Sequence, residues 1–160
     1  MRRIGDRALP FRLPAVGERG LTLIDPSEFL GRWIVLSFVS ALKESDADLW
    51  DEEGRLMQAL GAALLVVPLE EESLHPKRFH AVGRTHFTIV GDPLGRLQRL
   101  YGARSLVSSG RARTFLVDPD GRLRFHALHS LSDQGMGVIT ELLNAYRLQR
   151  FRHDEWKDIS

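Results

Sequence analysis

The chemistry open to this chain is narrowed first by what it lacks: none of its 160 residues is a cysteine. That removes disulfides, thiolate metal sites, iron–sulfur clusters and every cysteine nucleophile. What remains with chemical character is Glu44-Ser45-Asp46-Ala47-Asp48, one hydroxyl among three carboxylates. At the start of a helix Ser45 suits the N-cap. Asp46 and Asp48 then fall in the first turn, where negative charge complements the helix dipole. Ser45 with Asp48 has the form of a capping box, with Asp in place of the usual Glu or Gln. The other reading of these residues is contact with a cation or a polar ligand. A serine nucleophile finds no support, because Ser45 has neither a G-x-S-x-G elbow nor a placed histidine partner.

The six histidines, at positions 75, 80, 86, 126, 129 and 153, show no H-E-x-x-H spacing. His126 and His129 are three apart on or beyond a strand, so they do not share a face. No metal and no cofactor is expected. Gly91-Asp92-Pro93-Leu94-Gly95 has neither the Lys-Ser/Thr nor the two-glycine spacing of a phosphate loop.

These residues need elements to position them. Trp33–Val39 is nearly continuous apolar and β-branched, the pattern of a strand buried on both faces, and 62–67 repeats it. Between them, 46–60 predicts a helix with Leu49, Leu56 and Leu60 on one stripe, ended by Gly61. Farther along, 73–82 predicts a helix with Pro76 in its first turn, and 85–90 a short strand. A short helix over 93–101 follows, capped by Asp92 and stopped by Gly102. Strands over 113–117 and 123–128 flank the tight turn Asp118-Pro119-Asp120-Gly121, and a final amphipathic helix spans 136–151. Near the amino terminus, 9–16 is short and proline-flanked, Arg19-Gly20 reads as a turn, and 25–31 as one helical turn closed by glycine. The alternation β-α-β-α-β-α-β-β-α predicts an α/β domain with a mixed sheet, parallel strands inside and an antiparallel hairpin at one side. Residues 1–150 read as a single domain of thioredoxin-like layout, a three-layer sandwich with helices on both faces, and 151–160 as a polar C-terminal tail.

Lys and Arg number 22 against 21 Asp and Glu, a net charge of +1 that offers no electrostatic footprint for nucleic acid. The apolar runs are far shorter than the ~18 residues of a membrane span, so no membrane insertion is expected. Met1-Arg2-Arg3 leads into Ile4-Gly5-Asp6-Arg7 rather than an apolar run, and a cytoplasmic location is the expectation. Two tryptophans suggest a protein partner or a homodimer. Trp50 lies one residue beyond the apolar stripe of its helix. Trp156 sits in the polar tail, either as an anchor that orders on binding or folded back on its own domain.

The segments together resemble the alkyl hydroperoxide reductase/thiol-specific antioxidant type of peroxiredoxin. Gly5-Asp6 and Leu9-Pro10-Phe11-Arg12-Leu13-Pro14 are similar to that family's opening, and Phe29-Leu30-Gly31-Arg32-Trp33-Ile34-Val35-Leu36-Ser37-Phe38 to the approach to its central strand. Gly91-Asp92-Pro93-Leu94-Gly95 with Leu100-Tyr101-Gly102-Ala103 resembles its D-P-x-G … Y-G-V segment. Arg113-Thr114-Phe115-Leu116-Val117-Asp118-Pro119-Asp120-Gly121-Arg122-Leu123-Arg124 resembles its T-F-x-x-D-x-x-G-x-(I/L)-R hairpin. The resemblance implies the thioredoxin-like fold over nearly the whole chain.

It also implies a site that this chain no longer has. The family's P-x-x-x-(T/S)-x-x-C loop corresponds to a shorter stretch here, with Ser40 at the proline and no threonine. The degenerate peroxidatic position falls near Ser45, with Asp46 or Ala47 as the alternatives, and none supplies a thiol. A serine hydroxyl is not appreciably ionised near neutrality and has no oxidation ladder comparable to that of sulfur. The family's active-site arginine corresponds to Ala112, flanked by Arg111 and Arg113. Either points into the old pocket or stays solvated at the strand end. The reading that follows is a peroxiredoxin-like protein without thiol peroxidase activity, serving as a binding, assembly or accessory subunit, with Ser45, Asp46, Asp48, Arg111, Arg113, Trp50 and Trp156 as candidate contacts. The alternative is a thiol peroxidase whose cysteine has been exchanged in this chain, and a weaker third reading is an enzyme acting on a small ligand.

Overall fold

The structure is a computed structural model that describes residues 3–9, 12–17, 20–69, 86–92, 95–102 and 110–159. The helix expected over 73–82, with His75 and His80, lies outside them, as do residues 103–109. Seven strands are present among the described residues: β1 (Leu13–Gly17), β2 (Gly20–Ile24), β3 (Trp33–Val39), β4 (Ala62–Pro68), β5 (Thr88–Val90), β6 (Arg111–Val117) and β7 (Leu123–Ser130). They form one mixed sheet in the order β2-β1-β5-β4-β3-β6-β7. β3 runs parallel to β4 and antiparallel to β6, and the β6–β7 hairpin closes one side. At the other side, β1 and β2 form an antiparallel hairpin, with Gly20 already the first residue of β2; Arg19, read with it as a turn, lies outside the described residues. The short length and proline flanks of 9–16 hid β1.

All seven residues of β3 are buried, as its unbroken apolar run requires. Successive side chains enter opposite layers. Trp33, Val35 and Val39 join a core with Ala47, Trp50 and Met57 of helix α1 (Ala47–Ala59) and Met136, Ile139 and Leu143 of helix α3 (Asp133–Ile159). Ile34, Leu36 and Phe38 join the other core, with Leu97 and Tyr101 of helix α2 (Arg96–Tyr101). Phe38, Tyr101 and Phe115 pack there as a tilted and edge-on trio, with the Tyr101 and Phe115 ring centroids 4.5 Å apart. Helices on both faces of a mixed sheet make the three-layer, thioredoxin-like sandwich that the sequence predicted.

Three element readings change. The buried stripe of α1 is Ala47, Trp50, Glu53, Gly54 and Met57; of the expected stripe, Leu49 and Leu60 pack against this core partly buried, whereas Leu56 is 38% exposed. Helix α2 starts at Arg96 rather than 93, yet Asp92 still caps it: its carboxylate accepts the amides of Leu97 (3.0 Å) and Gln98 (2.8 Å). Helix α3 begins three residues early because Ser132 caps it, its Oγ accepting the Gly135 amide at 3.0 Å. It runs on through 151–159, where no glycine or proline interrupts the chain. Among the described residues no helix is long and apolar enough to cross a membrane.

Candidate functional site

The stretch around Ser45, which the resemblance gives as the degenerate peroxidatic position, lies where the chain leaves β3 and enters α1. Residues Glu44–Asp46 form a 3-10 turn, in which the Asp46 amide donates to the Lys43 carbonyl at 3.0 Å and the Ala47 amide donates to the Glu44 carbonyl. Backbone carbonyls therefore take the donors that a capping side chain would take. Ser45 is not the N-cap; Asp46 holds that place, without a side-chain hydrogen bond, and the expected capping box does not form. Ser45 and Asp48 are exposed and Asp46 half-buried. Glu44, Asp46 and Asp48 still put negative charge at the helix start, which opposes formation of any further anion there.

Beneath this turn the space is apolar. Val39, Leu42, Ala47, Trp50 and Ala112 belong to one buried cluster. Ala112, at the position that the resemblance gives to the active-site arginine, is fully buried and stands opposite Val39 across the ladder. Alternation along β6 puts Arg111 and Arg113 on the sheet face away from α1. Arg113 shares that face with Phe115. It donates from Nη1 to Nδ1 of the exposed His126 at 3.0 Å, and its Nε is buried without a partner among the described residues. Trp50, read as a surface contact, is 1% exposed and packs inside the core. Its residue type suited either place, and the stripe that would have decided it was drawn one residue off. Helix α3 includes position 156, but the Trp156 side chain lies outside the described ones.

A polar chain that sequence reasoning missed crosses the sheet on the α1 side. Ser37 Oγ and Thr114 Oγ1, both fully buried, are 2.7 Å apart. Thr114 Oγ1 lies 2.6 Å from His129 Nε2, and His129 Nδ1 is 3.0 Å from the Ser130 carbonyl. That carbonyl only accepts, so Nδ1 carries the proton and Nε2 receives the threonine hydroxyl. Burial holds the His129 pKa below its ordinary value, which keeps this neutral arrangement. The hint was Ser37, the one hydroxyl in an otherwise apolar strand. A hydroxyl–imidazole–carbonyl series can activate a nucleophile only where substrate reaches the hydroxyl, and Thr114 is sealed in the core. Its work here is to tie β3, β6 and β7 together. As expected, His126 and His129 lie on opposite faces. Among the described residues no three His, Asp or Glu side chains are placed to hold a metal ion.

Residues 4–126 match the model of the AhpC/TSA family. Alkyl hydroperoxide reductase C of Pseudomonas aeruginosa is 26% identical over 141 residues, covering 81% of this chain and 74% of that protein. Among solved structures, AhpC of Enterococcus faecalis superposes with a TM-score of 0.73 at 19% identity, over 92% of this chain and 94% of its own. The reduced 2-Cys peroxiredoxin of Plasmodium vivax gives a TM-score of 0.73 at 15% identity, over 93% and 99%. A match over most of the length, on this topology and with no thiol anywhere, identifies the chain as a member of the AhpC/TSA family that lacks the peroxidatic cysteine.

Proposed function

We propose that this chain is a peroxiredoxin-like protein without thiol peroxidase activity that serves as a binding, assembly or accessory subunit of a larger complex. The observation that carries the reading is the absence of cysteine from a chain that matches the family model over residues 4–126. Peroxide reduction by this scaffold needs a polarizable thiolate that attacks the O–O bond and becomes a sulfenic acid. Three further features support the loss. Serine stands at the degenerate position, carboxylates surround it, and Ala112 occupies the arginine's place in a packed apolar floor.

A partner role draws support from the surface. The outer edge of β7 pairs with no other strand among the described residues, and Leu128 on it is 38% exposed. Trp156 on the final helix is a candidate anchor for a partner, and pairing into a homodimer is the simplest assembly. A chain of this kind acts in the cytoplasm.

The test is the native mass of the tagged protein isolated gently from its own cells. A stoichiometric companion, or a dimer broken by replacing Leu128 with lysine, supports the reading. A monomer with no companion across growth conditions overturns it. The second reading, a peroxidase whose cysteine was exchanged, rests on the place of Ser45 just ahead of α1. It requires a cysteine codon at 45–47 in the native gene.

A further inference from the structure

A concavity of about 330 Å³ opens at the far end of β3 from Ser45, on the α2 side of the sheet. That volume is in the range of small-molecule sites, roughly 300–1,000 Å³. Its apolar lining comes from Leu9, Ile34 and Val117, which are 5%, 3% and 0% exposed, and from Phe29 and Leu30 of the 3-10 turn Pro26–Phe29 and its end. Four polar side chains stand around it: Arg7, Arg12, Asp25 and Ser27.

Their hydrogen bonds leave a surplus of positive charge. Asp25 is engaged at both oxygens. Oδ1 accepts the Ser27 amide at 3.1 Å and the Ser27 hydroxyl at 3.0 Å, and Oδ2 faces Arg12 Nε at 3.3 Å. Those serine hydrogen bonds hold the Asp25 pKa below its ordinary value, so its charge is fixed near neutrality. Arg12 uses only its Nε in that pair. The guanidinium of Arg7 makes no hydrogen bond or ion pair with the described residues. Two cations thus border an apolar cavity against one carboxylate that is already occupied.

We propose that this cavity binds a small monocarboxylate with an apolar body, such as a medium-chain fatty acid or an aryl-substituted acid. The carboxylate meets Arg7 and the free edge of Arg12, whose planar forks match its two oxygens. The body lies against Leu9, Ile34 and Val117 and gains from their desolvation. Inorganic anions lack the body and neutral alcohols lack the head, so each half of the site has its own control. The proposal does not depend on a protein partner, since the cavity is formed within one chain.

The experiment is a titration of the full chain with octanoate, followed by amide resonances. Saturable shifts confined to residues 7–9, 25–34 and 117–121 are expected, with octanol and inorganic phosphate binding at least about tenfold more weakly. Arg7→Gln changes an exposed side chain and is expected to weaken octanoate about tenfold while the remaining spectrum stays unchanged. Leu30→Glu, which places an anion beside the mouth, weakens it further. The proposal is overturned by any one of four results. These are no saturation at millimolar octanoate, shifts centred elsewhere, octanol binding as tightly as octanoate, or Arg7→Gln without effect.

Discussion

Serine and cysteine differ by one atom, yet the surroundings of Ser45 have changed with it. Restoring the sulfur alone is therefore expected to restore little. In Ser45→Cys the thiol would stand among Glu44, Asp46 and Asp48, with both arginines of β6 on the opposite face. Its pKa is expected at or above the ordinary value of about 8.5. Thiolate absorbance against pH, with peroxide consumption by the variant, checks this. A strongly acidic, fast-reacting thiol would mean that the site is poised and only the sulfur is missing. Gly54 is a second residue whose type is set by contact. A Cβ there would come within 2.2 Å of the His86 carbonyl oxygen. Alanine gains about 1 kcal/mol of helix propensity over glycine, but the overlap forces α1 away from its neighbour. Gly54→Ala is expected to destabilise by a net of about 1–3 kcal/mol in urea unfolding.

Glu53 gives the residue scale a pH dependence. Its carboxyl is buried between α1 and α3, with Thr140 Oγ1 donating to it at 2.9 Å, and burial raises its pKa above the ordinary value of 4.5. The folded chain thus holds that proton more tightly than the unfolded one. The resulting stability is complete below about 4.5 and is lost as pH climbs through the raised folded value. Glu53→Gln keeps the hydrogen bond without the charge. Its advantage over the parent in thermal unfolding is expected to widen as pH rises from 4.5 toward neutrality. His129 acts with the opposite sign. Its lowered pKa gives stability that is present above 6.5 and lost as pH falls through the folded value.

Among elements, the turn between β6 and β7 depends most on one side chain. Asp118 is 2% exposed, and its Oδ1 accepts the amides of Asp120 (2.9 Å) and Arg122 (3.0 Å). Its Oδ2 accepts from Arg124 Nε at 2.7 Å. Removing the carboxylate strands these donors, so Asp118→Ala is expected to cost about 2–4 kcal/mol. Arg124→Ala is expected to cost under about 1 kcal/mol, since that side chain is half exposed. Chemical denaturation of both variants checks the asymmetry. The same turn was legible in the sequence because Asp-Pro-Asp-Gly carries its own mechanism. The start of α1 was not, because a 3-10 turn satisfies through its backbone what Ser45 was expected to satisfy through its hydroxyl.

Over the whole molecule, the sheet divides the core into two layers and its order sets their relative permanence. β3 is hydrogen-bonded on both sides by β4 and β6 and covered on both faces, whereas β2 and β7 are the outermost strands among the described residues. Native-state hydrogen exchange is expected to protect the amides of β3 up to the global unfolding free energy. Those of β2, and the outward amides of β7, exchange through smaller openings. Uniform protection across all seven strands would contradict this layering. Ser45 and the cavity beside Arg7 lie toward opposite ends of β3, on opposite faces of the sheet, so ligand binding at one leaves the other sterically open.

The amino-acid sequence by itself determined the absence of thiol chemistry, the buried strands β3 and β4, the β6–β7 hairpin and the family. The first three follow from composition, from an unbroken apolar run and from local turn chemistry, and the family from the resemblance of its motif segments; none of these needs a distant contact. Only the tertiary structure decided which side of the sheet each residue serves. It buried Trp50, turned Arg111 and Arg113 away from α1, set Ala112 into the floor and joined Ser37, Thr114 and His129 across three strands. Those outcomes depend on register, and a shift of one residue exchanges the two faces. The cavity at Arg7 likewise exists only through partners far along the chain, since it joins residues around 7–12, 25–34 and 117–121.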